Sequence, residues 1–392
     1  MNYRITISYF YATAIQEADF SMSNTSAPGR SAASRCRMPA FVAIATVVLA
    51  SALPTEPVSG QTPPSRLRAV DIYRTTQFDE ADLERRLDPA LRELIDSVTA
   101  SDNATFERIA NEIKSEVEAS GDFAFMSFSM TTSWESDANV IDITIELVDP
   151  TDAATRMAFA PAPTGEIDDP DGVLAAWADY EQTAVELVNA RQMEPTIADG
   201  CPALHCVFGF GHEQLAPFLE RLDRAARERH DVLLSVLRED ADPKKRKNAV
   251  FVLAHGDDAG SLLRELAPSL DDPDGGVRNN VMRVMGAMAR GDNTIEIPFA
   301  PIARRIDDPD GACRNKAAQL IAAIAHRPEY RDDILAILPG VMRLLRLDKP
   351  NTHDPAYRIL TTISGENFGG RDYESWEGWI ARNLVSVSTD QE

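Results

Sequence analysis

The chain has 392 residues, of which 44% are hydrophobic and 26% charged, a composition typical of a globular protein with two or three packed units. Its 39 Lys and Arg residues are outnumbered by 62 Asp and Glu residues, giving a formal net charge of -23. A surface this acidic repels phosphate backbones and anionic membranes, which argues against nucleic acid as a partner.

The N-terminal 60 residues have the pattern of an export signal. Basic residues at 30–37 precede an apolar run at 40–53, which is shorter than the roughly 20 residues that a bilayer span needs. We assign residues 1–60 to this leader, with Met22 as the expected true start. A buried helix or a single membrane anchor is the alternative. No later segment is apolar enough to cross a membrane, so we expect a periplasmic or extracellular protein.

Residues 61–78 lack a clear period and are interpreted as a linker, and residues 79–212 as a small α+β domain. Apolar residues at helical spacing predict helices within 79–100 and 104–119. Alternating residues predict two antiparallel strands and a third short strand. The expected strands cover residues 123–130, 141–147 and 156–159.

The sequence IDDPDG at 167–172 predicts a capped helix start, because Asp169 can cap a helix and Pro170 suits its first turn. The same six residues recur at 306–311, where an Arg follows. Because no Arg follows the first copy, we interpret it as turn-and-cap chemistry and not as a further repeat.

Three segments in the C-terminal half repeat one pattern. Arg246, Arg278 and Arg314 each follow an Asp-Pro turn and open an apolar helix, at spacings of 32 and 36 residues. A Leu- or Ile-containing helix precedes each turn. Paired helices with this period resemble HEAT repeats, of the kind also found in phycobilin lyases.

This resemblance implies a mainly α fold, a HEAT-type solenoid of about four helix pairs over residues 213–372. The last pair is degenerate, because its Arg358 is out of register. Residues 366–383 resemble the closing segment of some exported bacterial HEAT proteins, and residues 373–392 are assigned to a C-terminal capping helix and tail. The aromatic residues expected to cap the stack are Phe368, Trp376 and Trp379.

The recurring Asp and Arg residues predict a polar ladder between successive turns, since stacked repeats contact only their neighbours. The residues assigned to this ladder are Asp242, Arg246, Asp272, Arg278, Asp308 and Arg314. We expect Asp272 and Asp308 also to cap helices. The alternative is that the three arginines line a binding surface.

The loop before the stack holds the densest set of reactive side chains, spaced C-x3-H-C-x5-H. Cys201 and Cys206 are the natural disulfide pair in an oxidising compartment, and Cys313 is left over as a small buried side chain. The alternatives are a structural zinc site that adds His205 and His212, and a catalytic Cys–His pair. Alternation from residue 204 to 210 favours a strand here.

The sequence contains no P-loop, G-x-S-x-G or H-E-x-x-H motif. The function that it favours is an exported, non-catalytic scaffold that binds a protein partner and needs no cofactor. The alternative is an enzyme or metal-binding protein whose site lies in the loop at 201–212.

Overall fold

The computed structural model describes residues 65–389, except for 101, 136–137, 195–200 and 208. The leader at 1–60 lies outside the described residues, so export stays a prediction. Within the described ranges, no helix combines the length and apolarity needed to cross a bilayer.

The N-terminal part is a three-stranded sheet with two helices on one face. The central strand β3 pairs in parallel with β1 and antiparallel with β2. The two helices provide the crossover that a parallel pair requires. The elements are β1 Ser65–Tyr73, α1 Glu80–Ala100, α2 Asn103–Ser120, β2 Phe125–Glu135 and β3 Ala138–Val148. The interpretation of 61–78 as a linker is therefore wrong for 65–73, which forms β1.

Strand β3 buries both of its faces. Successive side chains of a strand point to opposite faces, and the odd-numbered residues from Ile141 to Leu147 join the core beneath α1 and α2. Asp142, Thr144 and Glu146 point the other way and are also buried. The polar face of the sheet must therefore be covered by another part of the chain.

The remainder of the described chain is helical. The helices are α3 Pro150–Arg156, α4 Val173–Asn189, α5 Ala216–Glu228, α6 His230–Glu239, α7 Pro243–Leu253, α8 Ala259–Leu266, α9 Gly275–Gly291, α10 Phe299–Arg304, α11 Gly311–Ile324, α12 Arg331–Leu345, α13 Pro350–Ser364 and α14 Tyr373–Thr389. The third strand expected at 156–159 does not form. Helix α3 ends at Arg156, and residues 158–159 belong to neither a helix nor a strand.

Helices α6 to α13 form four helix pairs, as the sequence predicted. The second helices of the pairs, α7, α9, α11 and α13, pack side by side in chain order, and we call them the second-helix row. Each pair needs its neighbours to bury its apolar residues, so the pairs share one continuous core. The mainly α solenoid with a preceding α+β unit is confirmed.

The two ends of the stack are closed by flanking helices. Helix α4 packs beside α7, where the Trp177 and Phe251 rings stack with centroids 4.8 Å apart. Helices α4 and α5 share the core of the stack. Apart from Tyr73 of β1, which joins the core of the stack, the two cores divide between residues 147 and 167, earlier than the expected boundary at 212. At the other end α14 packs on α12, with Trp376 and Trp379 buried.

Candidate functional site

A ladder of buried ion pairs runs along the turns between the first and second helix of each pair. The Arg246 guanidinium donates to both carboxylate oxygens of Asp272 at 2.8 Å, and Arg278 donates to Asp308 at 2.7 and 2.9 Å. Each arginine thus bonds the carboxylate of the following repeat. Its third nitrogen donates to a backbone oxygen six residues earlier, Asp240 for Arg246 and Asp272 for Arg278.

The assignment of Asp242 to the ladder is wrong. Asp242 is exposed and caps α7 by accepting from the Lys244 backbone N–H at 2.8 Å. The ladder position is held by Asp240, which is 2% exposed and lies six residues before Arg246. Asp272 and Asp308 likewise do not cap their helices directly. Asp274 and Asp310, two residues later, are the caps.

The fourth pair lacks the ladder carboxylate. In the second and third pairs this Asp lies two residues before the N-cap, and it accepts from the backbone N–H of that cap residue. Helix α13 is capped at Lys349, so the matching position is Leu347. In the second and third pairs this Asp accepts hydrogen bonds from an arginine and from the cap residue. In the fourth pair these two donors therefore need other acceptors.

Two carboxylates of the N-terminal sheet supply them. Glu146 on β3 accepts from Arg314, the third ladder arginine, and both side chains are 2% exposed. Asp71 on β1 accepts from the backbone N–H groups of Asp348 and Lys349 at 2.8 and 3.0 Å. The sheet therefore completes the last rung of the ladder.

Burial sets the electrostatics of this rung. Desolvation raises the pKa of Glu146, and the charge and hydrogen bond of Arg314 oppose that rise. The Arg314 guanidinium also lies 3.5 Å from the centroid of the Tyr73 ring. The Tyr73 hydroxyl in turn donates to Asp307 at 2.7 Å, so sheet and turn are joined by charge, ring and hydroxyl contacts.

The segment that begins at the last residue of α3, residues 156–169, runs along the same edge and is called the strap. It meets the turns in reverse order. Arg156 Nε donates to the Asp307 carbonyl at 3.1 Å, Ala160 N–H to the Asp271 carbonyl at 2.7 Å, and Gly165 N–H to the Glu239 carbonyl at 2.8 Å. The strap therefore crosses the third, second and first pairs in turn.

Phe159 of the strap covers the middle rung. Its ring centroid lies 4.0 Å from the Arg278 guanidinium carbon and 5.2 Å from that of Arg305. Each of the three ladder arginines is at most 3% exposed. They are therefore enclosed by the stack, the strap and the sheet, and do not line an open binding surface.

The loop at 201–212 does not assemble the predicted zinc ligands. Cys201 and Cys206 are joined by a disulfide, so neither presents a thiolate. His212 lies on a later turn, where its Nδ1 accepts from the Gln214 N–H at 3.3 Å. The described residues of the 201–212 loop form bends and turns and not a strand. Among the described residues, no cluster of three or more His, Cys, Asp and Glu side chains has a metal-binding arrangement.

His205 is the unusual residue of this loop. It is 7% exposed, its ring lies 5.6 Å from that of Phe251, and its Nε2 has no hydrogen-bond partner in the described structure. Burial lowers its pKa, and the nearby charges of Arg283, Arg290 and Lys316 lower it further. The side chain is therefore a neutral, buried imidazole beside a positively charged region.

An open cavity of about 550 Å³ lies on the second-helix row, between α4, α7 and α9. Its rim and floor combine charged, amide and aromatic groups. They include Glu181, Lys244, Lys247, Asn280, Arg283 and Phe251. This cavity was not predicted, because its residues come from three helices and share no motif.

Two of the three aromatic residues assigned to the C-terminal cap, Phe368 and Trp376, are in contact, and the third, Trp379, is buried. Phe368 and Trp376 rings lie 4.9 Å apart edge to face, and Trp376 Nε1 donates to the Gly369 carbonyl at 3.0 Å. Cys313 is a free, fully buried thiol whose Sγ lies 3.0 Å from the Gly275 carbonyl. Both features belong to packing and leave no reactive group exposed.

Comparison with known families agrees with this geometry. A family model described as HEAT repeats matches residues 230–322, which span α6 to most of α11 and contain all three ladder arginines. No curated protein matches the chain. The resemblance drawn from the Asp-Pro and Arg pattern is thereby confirmed for this range.

Proposed function

We propose that this chain, a HEAT-repeat protein, is an exported, non-catalytic scaffold that binds a protein partner through its second-helix row. HEAT stacks present extended surfaces and commonly bind proteins. The observation that carries the proposal is the cavity between α4, α7 and α9, where side chains of three neighbouring helices converge on open space.

The edge of the stack that carries the ladder is already covered by other parts of the chain. This favours a different surface for the partner. The strap and the sheet cover the turns of the pairs, and their contacts use the ladder arginine Arg314 and the turn residues Asp271 and Asp307. A partner would have to displace buried ion pairs to reach that edge. The cavity side of α4, α7 and α9 needs no such displacement.

The export part of the proposal rests on the predicted leader and is supported by the Cys201–Cys206 disulfide. Disulfides persist in oxidising compartments and are rare where thiols are kept reduced. Because Cys201 and Cys206 are joined in this bond, neither offers the thiolate that a metal site or a cysteine nucleophile in this loop would use.

Site-specific photo-crosslinking in cells of the source organism tests the binding surface. We expect p-benzoyl-phenylalanine at Glu181, an exposed residue at the cavity, to give a discrete crosslinked product. The same label at Arg264, exposed on α8 in the other helix layer, serves as the matched control and should give none. No product at Glu181, or the same products at both sites, would refute the proposal.

A further inference from the structure

We propose that two copies of this chain associate through their β2 strands, which pair antiparallel about a twofold axis and join the two three-stranded sheets into one. The inference goes beyond the proposed function, because it concerns the N-terminal sheet and not the cavity between α4, α7 and α9. It commits to a second copy of the chain as the occupant of this sheet edge.

The first support is that one side of β2 is open. The strand order β1-β3-β2 places β2 at an edge of the sheet, where it pairs with β3 alone. In the part of the chain that the structure describes, no hydrogen bond joins the other side of β2 to any residue. Alternate backbone N–H and C=O groups of β2 point to that side, and such an edge can pair with another strand. With 11 residues, β2 is also about twice as long as an average strand.

The second support is that β2 lacks the features that block the opposite edge of the sheet. Charged side chains and irregular pairing both discourage edge-to-edge contact. Strand β1 has both, because Arg66 and Arg68 are exposed and its register with β3 shifts between Leu67 and Ala69. The register of β2 with β3 is continuous, and its only charged residue is Glu135, at the end of the strand. A blocked β1 edge also disfavours an open fibre of sheets, so pairing closes as a twofold dimer.

The third support is charge, which favours a second copy as the occupant. The chain has a net charge of -23, so two copies repel each other over most of their surfaces. No residue from Phe125 to Trp134 is charged, so two β2 strands can lie side by side without this repulsion at close range. Like charges directly opposite each other destabilise a strand pair. If the two strands overlap along their whole length, Glu135 faces Phe125 of the other copy, and no like charges are opposed.

The same overlap matches the faces of the two sheets. Residues directly opposite each other in an antiparallel pair point to the same face. Met126, Phe128 and Met130 belong to the core beneath α1 and α2. With full overlap, Met130 faces Met130 of the second copy, and Ser129 on the polar face lies opposite Thr131. The apolar core beneath the helices would therefore continue from one copy into the other.

The length of β2 sets the expected strength of the contact. At about 3.3 Å per residue, the strand is roughly 36 Å long. A contact confined to this edge buries less than the roughly 1,200 Å² at which standard protein interfaces begin. We therefore expect a reversible dimer whose population depends on protein concentration in the micromolar range.

Sedimentation velocity and amide hydrogen exchange, both on the purified full chain over a range of concentrations, test the inference. We expect the mass to approach that of two copies as concentration rises. Exchange in peptides from β2 should slow in parallel, while exchange in peptides from β1 should not change. Ser129→Lys should weaken dimerisation roughly tenfold or more, because it places two like charges near the twofold axis.

Ser115→Lys, the same change at an exposed position of α2, is the matched control and should dimerise as the wild type does. Both variants make the chain less negative by one charge, so general repulsion cannot explain a difference between them. Ser133→Lys, also on β2, keeps the test valid if Ser129→Lys does not fold. A monomer at every concentration, a dimer without slower exchange in β2, or a dimer that the β2 variants leave unchanged would overturn the inference.

Photo-crosslinking distinguishes a second copy from another protein on this edge. We expect p-benzoyl-phenylalanine at Ser133 to give, in cells, a product that contains two copies of the chain. A product that contains only a different protein would overturn the choice of occupant. Either failure leaves the proposed function standing, because the crosslink from Glu181 reports on a different surface.

Discussion

Arg278 shows most directly what a ladder rung does at the level of one residue. Its guanidinium donates twice to Asp308 and once to the Asp272 carbonyl, and it stacks on Phe159. Desolvating such a charge is costly, so the rung holds only while each partner is present. Removing the arginine leaves the buried Asp308 carboxylate without its main counter-charge, although Arg305 still contacts it at 3.2 Å.

We therefore expect Arg278→Met to lower the free energy of unfolding by about 3–5 kcal/mol. Arg304 offers a matched control, because it pairs with Asp271 at 3.0 Å but is 52% exposed. Arg304→Met should cost about 0–1 kcal/mol. Urea denaturation measures both. Similar losses for the two variants would mean that the ladder contributes no more than an ordinary surface pair.

At the residue scale, sequence reasoning identified the three ladder arginines. It identified only two of the three aspartates that occupy the ladder positions. The Asp-Pro motif pointed to Asp242, because only two residues separate Pro from Arg in the first turn, whereas four do so in the others. A constant spacing would have identified Asp240. Asp240, Asp272 and Asp308 each lie six residues before the ladder arginine of their own pair.

At the element scale, the 201–207 loop is pinned to the stack by a short set of contacts. Leu204 N–H donates to the Ala254 carbonyl at 2.9 Å, the disulfide closes the loop, and His205 is buried against Phe251. Because burial and nearby cations lower the pKa of His205, the folded protein holds this imidazole neutral. The unfolded chain takes up the proton first as pH falls.

Folding stability should therefore decrease as pH falls below the ordinary histidine value of 6.5. The contribution is present above that value and is lost toward the lowered folded-state pKa, at up to about 1.4 kcal/mol per pH unit. We expect His205→Gln to flatten this dependence in urea denaturation between about pH 7 and pH 5. His326→Gln, at an exposed histidine, should keep the wild-type slope. An unchanged slope in His205→Gln would contradict this account.

Helices and strands whose apolar residues recur at a regular spacing were predictable. Elements that depend on contacts with residues distant in the sequence were not. The helices over 79–119 and the two antiparallel strands follow from apolar spacing alone. Strand β1 was taken for a linker, because its sequence lacks a clear period and its partner β3 lies about 74 residues later. The alternation in the 201–212 loop suggested a strand, but no described neighbouring strand pairs with it.

At the scale of the whole molecule, the N-terminal unit acts as part of the stack. Its sheet supplies Glu146 and Asp71 where the fourth pair has Leu347, and its strap crosses the turns of the other three pairs. The ladder edge is therefore closed, whereas the side of the stack formed by α4, α7 and α9 has an open cavity. This division of surfaces is the basis of the proposed scaffold function.

The contact behind this arrangement had no signal in the sequence. Glu146 and Arg314 are separated by 168 positions, and Glu146 lies in a strand whose alternation predicted only that polar residues share one face. A polar face normally indicates solvent. Here the polar face contacts a charged turn that lacks a carboxylate. Only the folded structure shows this contact.

A double-mutant cycle on Glu146 and Arg314 tests the central claim most directly. Each single change to alanine should lower the free energy of unfolding by about 3–5 kcal/mol, and the pair should couple by about 1–3 kcal/mol. The control cycle uses the exposed pair Arg86 and Glu116, between α1 and α2, and should couple by less than about 1 kcal/mol. A coupling of Glu146 with Arg314 no larger than that of the control would show that the sheet does not complete the ladder.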